Sequence, residues 1–536
     1  MRSESDIPEK ALALNGKEYN LEKNLDKAKR VTEGDYTRYL LIGIWILLIL
    51  WRFYMLVAYC YKYVDDDQAL MWYGTVHFAH GHFPEPCFFG QSYNSMIESL
   101  LAVPLYLCGW PLNYALPTAV TVTSVFPFMY CSIACWRRKK YGAALAAAIL
   151  FSMTAWQWDL LTSIPHAVFS GFPWAVLGVD LMCDPKNGKA KRAIGSGLCA
   201  MGTVATMSTA AIMGIAWLYY VLSNGKAWRR YAAPVTGMMP AVLLFLYEKW
   251  YYSVHSEDVV IQSSVDLFNK DAFLLSIHNL PQLFEYTFGF GRAGVIIIPV
   301  AIVAVCVYWF KQKDWKMLIL AAASVMGSMV ALSIGWMTAY DPNCVLLPQS
   351  RMVIFWVFLV LEFILFLSYS DKEYLKINGR KGILMAVAGI VVLCIKAGIF
   401  AGEVKNPDST IYRSGIVRVM SVEELSSQAG VILDVAESLG AEVLVTTEYS
   451  RVMAYGASAL YYEVPIIFYV PDSDRRVWVY NDLLSRKNTR LLLYSMPVDE
   501  NMALACVDLE NETVPGYIWN NYGVVRGGDY VWGKKN

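Results

Sequence analysis

Charged side chains are in short supply in this sequence. Asp, Glu, Lys and Arg make up 17% of its 536 residues, where a soluble domain carries about a quarter, and 56% of the residues are apolar. That deficit moves the chain away from solvated globular domains and toward lipid. Neither sign of charge is in excess: 45 basic and 45 acidic residues cancel, which removes any global argument for nucleic acid as a partner. A cleavable signal is missing too, because residues 1–38 are polar with charges of both signs and no short apolar run opens the chain. No internal repeat and no glycine-rich phosphate loop is visible. The eleven cysteines show no metal-ligand spacing. Cys131, Cys135, Cys183, Cys199, Cys306 and Cys394 fall in apolar runs, where cysteine acts as a small hydrophobe. Cys60, Cys87, Cys344 and Cys506 fall outside those runs, and spacing does not say whether any two are joined.

What the sequence does have is long apolar runs. Residues 39–59, at about 1.5 Å per residue, suffice to cross a hydrocarbon core of about 30 Å. Further runs lie at 113–135, 141–158, 164–183, 193–223, 231–250, 293–310, 317–339, 352–369 and 382–400. The connections between them alternate in basic content. One set is rich, as in Arg137-Arg138-Lys139-Lys140; the other carries only Lys62, Lys270, Arg292 and Arg351. The positive-inside rule makes the rich set cytoplasmic. Residues 193–223 have basic residues at both ends, so parity requires two short passes broken near Ser208, or a re-entrant hairpin. The expected fold is a polytopic α-helical membrane protein of about eleven transmembrane helices. Residues 1–38 form a cytoplasmic tail, 39–400 the transmembrane domain, and 401–536 an extracytoplasmic domain.

Outside the bilayer the expectation is two long outer loops, 60–112 and 251–292, and the C-terminal stretch. Residues 95–108 are apolar but too short to span, which suits a helix lying along the interface. Ser421-Val-Glu-Glu424 is a capping box opening a helix that Gly440 stops. Short β-type runs at 442–446, 465–470 and 490–496 alternate with helical pattern, which predicts a small C-terminal α/β domain.

The segment Tyr63-Val-Asp-Asp-Asp-Gln-Ala-Leu70 follows the first span directly. Three adjacent carboxylates raise one another's pKa, and the aromatic, apolar stretch from Leu70 to Phe78 should bury at least one of them. A solvated acidic cap is the plainer alternative. Polar groups then converge where an amphiphile's headgroup would lie: Gly90-Gln-Ser-Tyr93, and Glu98 at the head of the interfacial helix. Asp66-Asp67, Gly81, Gly90-Gln91-Ser92-Tyr93, Glu98 and Leu101-Ala-Val-Pro-Leu105, with Arg351 following Leu346-Leu-Pro348, give the chain its resemblance to a known group. It resembles the GT-C superfamily of polyprenyl-phosphate-sugar-dependent membrane glycosyltransferases, the group related to protein O-mannosyltransferases and aminoarabinose transferases.

That resemblance implies an inverting transferase of the bacterial plasma membrane, moving a sugar from a polyprenyl-phosphate donor to an extracytoplasmic glycan, lipid or protein acceptor. A carboxylate of Asp65, Asp66 or Asp67 would serve as general base. The triplet followed by Gln68 departs from the usual acidic pair, so the catalytic position stays open between Asp66 and Asp67. The leaving phosphate needs a cation or a divalent metal nearby. Arg351, Arg292 and Lys62 are the outer basic residues, each also explicable as an interfacial anchor. Gln91, Tyr93, Glu98, His80 and His82 would line the substrate cavity, and His77, His80 and His82 in a loop suit that lining better than zinc. His166, Asp159 and Trp158 lie at an outer helix end and could line it too. Arg52 and Lys396, near span ends, are explained by snorkelling. The rival readings are a transporter or flippase, which would place charges near the midplane on repeated broken helices, and a non-catalytic membrane scaffold.

Overall fold

A computed structural model describes residues 37–90, 94–225, 228–255, 269–334, 350–370 and 379–406. Beyond them it describes 413–414, 417–438, 440–446, 451–461, 466–468, 475–476, 478, 490–493, 505–508 and 521–526. Gln91, Tyr93 and Cys344 lie outside the described residues, as does the side chain of Arg351.

The chain is a helical membrane protein. Five helices are long and apolar enough to cross a bilayer: α1 (Thr37–Cys60), α4 (Leu112–Arg137), a helix within Gly291–Lys311 whose regular part is α13 (Gly294–Lys311), α15 (Ser350–Tyr369) and α16 (Gly379–Glu403). α13 is the most lipid-like, with Ile296 68% exposed on an apolar surface that water would not tolerate. Shorter apolar helices fill the bundle: α3 (Ile97–Leu107), α5 (Tyr141–Ser152), α7 (Phe172–Cys183) and α14 (Trp315–Ala331). α2 (Asp66–Ala79) precedes α3, and α6 (Trp156–Leu161) stands between α5 and α7. α8 (Lys189–Ala205), α9 (Ala210–Asn224), α10 (Ala232–Val254), α11 (Lys270–His278) and α12 (Leu280–Thr287) complete the set.

The apolar run at 193–223 is two helices, with a 3₁₀ turn at Met207–Thr209 as the break. Two other runs that read as continuous spans are interrupted. The run at 141–158 stops at Ser152 because the next residues bond elsewhere: Gly289 N donates to Met153 O at 2.8 Å and Ala155 N to Thr287 O at 3.1 Å. The run at 164–183 is helical only from Phe172. Pro165 and Ala167 precede it, the latter at φ 56°, a left-handed conformation that costs an L-residue about 1 kcal/mol.

Helices α7, α8 and α10 approach closely through glycine. A Cβ on Gly195 would lie 2.4 Å from Met182 N, and one on Gly237 would lie 2.0 Å from Ala193 O. Membrane helices gain van der Waals contact this way, where lipid supplies no hydrophobic drive between them.

The C-terminal stretch holds strands β5 (Val443–Thr446), β6 (Ile466–Phe468), β7 (Arg490–Leu493), β8 (Ala505–Asp508) and β9 (Asn521–Arg526) in one sheet, order β6-β5-β7-β9-β8. β5 is parallel to β6 and β7, whereas β9 is antiparallel to β7 and β8. Helices α17 (Val422–Ser438) and α18 (Arg451–Leu460) belong to the same stretch, and the Ser421 hydroxyl accepts Glu424 N at 3.0 Å as the capping box requires. This stretch is stitched to the segment that follows α1. Strand β1 (Tyr63–Val64) pairs antiparallel with β4 (Met420–Ser421), a later strand than the small β2 (Arg413–Ser414) and β3 (Val417–Arg418) hairpin. One continuous core then joins Leu70, Trp72, Val76 and Phe89 to Leu425, Val452, Met453 and Ala457.

Candidate functional site

The three aspartates open α2, and each is held differently. Asp65 is the N-cap: its Oδ1 accepts Gln68 N at 2.9 Å, satisfying one of the amides a helix start leaves orphaned. Its Oδ2 accepts His166 Nε2 at 2.9 Å. Asp66 is 6% exposed and uses Oδ1 to accept the Asp67 amide at 2.9 Å; its Oδ2 has no hydrogen-bond partner among the described residues. The Asp67 side chain is 30% exposed, binds Arg475 at 2.6 Å and stands 3.7 Å from His166 Nδ1.

Burial, then the charges of Asp67 and Asp65, push the Asp66 carboxyl up to about 7. Burial also opposes ionisation of Asp67, but Arg475 and His166 outweigh it and hold Asp67 below the ordinary aspartate value. His166, in the connection ahead of α7, is raised to about 9: burial disfavours its charge, and Asp65 first, then Asp67, more than restore it. The triplet is therefore split into a helix cap, a carboxyl that titrates near neutrality, and an ionised surface carboxylate between two cations.

Two further residues hold this arrangement. Glu98, at the start of α3 and fully buried, accepts His166 N at 3.0 Å, Ala167 N at 3.2 Å and the Ser170 hydroxyl at 2.6 Å. It fixes the left-handed turn that aims the His166 ring, and its burial raises its pKa against those three donors. Glu98 is thus a clamp behind the site. Arg476 is also fully buried, lying between the rings of Tyr73 and Tyr455 at 4.8 and 4.7 Å and donating to Ile466 O at 2.5 Å. It ties α2 to α18 and the sheet, and so places its neighbour Arg475 against Asp67.

Among the residues expected from sequence, Asp65, Asp66, Asp67 and Glu98 come together, with His166 between them. Arg292 is elsewhere, its side chain 77% exposed and paired with Glu285. Lys62 is exposed, and neither it nor Arg292 contacts the aspartates among the described residues. His80 and His82 are exposed. His77 is buried on α2, and burial followed by the Arg476 charge lowers it to about 4, so it is neutral. Among the described residues no group of His, Cys, Asp and Glu could hold a metal ion. Cys60 and Cys87 are free thiols. Arg52 and Lys396 do not snorkel: both are buried on Asp159, at 3.2 and 2.5 Å. Trp51 Nε1 and the Thr154 hydroxyl donate to the same carboxylate at 2.6 and 2.8 Å. Asp159 thus gives both buried cations a counter-charge, and removing it would leave two uncompensated charges in the interior.

Arg475 has no precursor in the sequence reading, and none was available, since it lies 408 positions from Asp67 in the chain. Comparison of the chain with protein-family models and with curated proteins gives no match.

Proposed function

We propose that this protein is an inverting glycosyltransferase of the GT-C type, built on about eleven membrane passes with an extracytoplasmic C-terminal α/β domain, N-terminus cytoplasmic, in a bacterial plasma membrane. It takes a sugar from a polyprenyl-phosphate donor to an extracytoplasmic glycan, lipid or protein acceptor. The observation that carries the reading is the division of labour within the triplet, above all Asp66, with a pKa of about 7 and an Oδ2 that has no hydrogen-bond partner among the described residues. A general base works best when its pKa lies near the working pH. In the step proposed, an acceptor hydroxyl or amine forms its bond to the anomeric carbon as the bond to the phosphate oxygen breaks. The acceptor's proton passes to the Asp66 carboxylate, and polyprenyl phosphate leaves with one more negative charge. Asp67 is reserved for orientation, because Arg475 and His166 already occupy it. Arg475 and His166 are the described cations paired with the triplet, and Arg351 is the one that the family resemblance adds.

The test is turnover in vitro, in a form that does not require the sugar to be identified. Purified protein is incubated with the total lipid-linked sugar extract and the delipidated envelope of its source, and free polyprenyl phosphate is measured by mass spectrometry. Acceptor-dependent release that Asp66→Asn abolishes supports the transferase. Equal release by wild type and Asp66→Asn removes the base.

A transporter or flippase is the second reading, and one observation favours it. Glu362, within the span Met352–Tyr369, is fully buried with no partner for either carboxylate oxygen among the described residues. Intramembrane carboxylates of that kind mark ion or proton paths. Movement of lipid-linked sugar across a vesicle bilayer without bond cleavage, lost in Glu362→Gln, would favour it over transfer.

A further inference from the structure

A cavity of about 650 Å³ opens at the end of the bundle opposite the aspartates. α7 runs from the His166 connection down to Cys183, which lines this cavity, and α8 returns from Lys189 to Ala205, whose carbonyl accepts Ser95 N at 2.9 Å near the acidic site. The two sites are thus separated by the length of these helices and share no residue.

The lining is cationic. Arg192, Arg230 and Lys316 face it, and among the described lining residues Asp314 is the one carboxylate, its Oδ1 capping α14 by accepting Met317 N at 3.3 Å. None of the three cations forms an ion pair among the described residues. Arg192 reaches Tyr220 Oη at 3.4 Å and Pro185 O at 3.2 Å, while its Nε is buried with no hydrogen-bond partner. Lys316 donates to Ser223 Oγ at 3.3 Å and stands 4.3 Å over the Tyr219 ring, which is itself stacked on Phe366 at 4.1 Å. A half-buried cation over an aromatic floor, beside a guanidinium with an unspent donor, is a combination that a multivalent oxyanion satisfies and a carboxylate-lined wall does not. Leu222, which lines the cavity, is an exposed apolar residue.

We propose that this cavity is a binding site for a phosphate group, held by Arg192, Arg230 and Lys316, in which the phosphate belongs either to an anionic lipid headgroup or to a soluble phosphate compound. The site does not depend on the transferase reading. An ordinary belt of interfacial anchors would hold anionic lipid loosely around the whole circumference. This cavity instead holds one phosphate in a fixed place.

The test uses the full-length protein in a neutral detergent. Native mass spectrometry with added phosphatidylglycerol, and separately phosphatidylcholine, counts retained lipid, and thermal unfolding with and without inorganic phosphate reads the soluble form. The variant is Arg192→Gln with Lys316→Gln. Its partner control, Arg192→Lys with Lys316→Arg, keeps the charge, and Arg229→Gln changes a nearby basic residue that does not line the cavity. Loss of two charge-assisted contacts should weaken phosphate binding by roughly a hundredfold. If the double Gln variant loses one retained phosphatidylglycerol that the other proteins keep, and phosphate does not displace it, the source is lipid. If inorganic phosphate stabilises wild type and the charge-keeping variant but not the double Gln variant, the source is a soluble phosphate. If the double Gln variant unfolds at the wild-type temperature and retains phosphatidylglycerol and phosphate as wild type does, the proposal is overturned.

Discussion

Asp66 and Asp67 are neighbours in sequence, yet the fold pushes their carboxyls in opposite directions, and that separation can be read in pH. Asp66 titrates at about 7 in the folded protein against 3.8 when free. The folded state therefore holds a proton that the unfolded chain releases, so this group's contribution to stability falls as pH rises from about 4 to about 7 and is flat above. Asp66→Asn should gain on wild type in stability across that window, by a few kcal/mol at ~1.4 kcal/mol per pKa unit, and its unfolding temperature should rise relative to wild type accordingly. Thermal unfolding of both proteins between pH 4 and pH 8 measures it, and a constant difference would contradict it. His166 runs the same way in a higher window. With a folded value of about 9 against 6.5, its pairing with Asp65 and Asp67 stabilises fully below 6.5 and is lost as pH climbs through 9. His166→Gln should accordingly be destabilised at pH 6 and approach wild type at pH 10, in the same unfolding measurement. Activity that depends on Asp66 as a base should rise tenfold per pH unit below about 7 and level off above it.

Within single elements, the sequence disclosed more of the local structure than of the breaks. The parity argument located the interruption near Ser208, because basic residues at both ends of one apolar run left no other solution. The Ser421 capping box and the Gly440 stop were legible because caps are local chemistry; Gly440 does adopt a positive φ of 62°. The interruptions after Ser152 and before Phe172 were not legible. They are made by backbone partners from the α12 end and by Glu98, both distant in sequence, and no local signal outweighed the apolar pattern. Glycine in α8 and α10 supplies the test at this scale. Gly237→Val should cost about 1–3 kcal/mol, because its Cβ would meet the backbone of Ala193. Gly214→Ala, in α9 with nothing within 4 Å of the added Cβ, should stabilise by up to about 1 kcal/mol. Equal effects from the two substitutions, measured by denaturation in one detergent, would contradict the close packing described.

On the scale of the whole molecule, the C-terminal stretch is part of the site. Pairing of β1 with β4, the core shared by α2 and α18, and the clamp of Arg476 between Tyr73 and Tyr455 bring Arg475 to Asp67. Aspartates and Glu98 were visible in the sequence because they cluster within about forty residues of the first span. The arginine was not, because only tertiary structure joins its segment to theirs. Removing residues 401–536 should thus strip the cover from Trp72, Val76 and Phe89 and lower the folded yield in membranes. Size-exclusion chromatography of the truncated protein checks this; a monodisperse truncation with wild-type yield would show that the stretch is an independent appendage.

The measurement that tests the central claim most directly is mass spectrometry of envelope glycans from a strain lacking the protein, complemented in turn with wild type, Asp66→Asn and Asp67→Asn. The transferase reading predicts that a saccharide disappears on deletion and returns with wild type. It fails to return with Asp66→Asn at normal membrane abundance, and returns in reduced amount with Asp67→Asn. Full restoration by both variants would mean that the acidic triplet is a solvated cap and that the protein is not a transferase working through it.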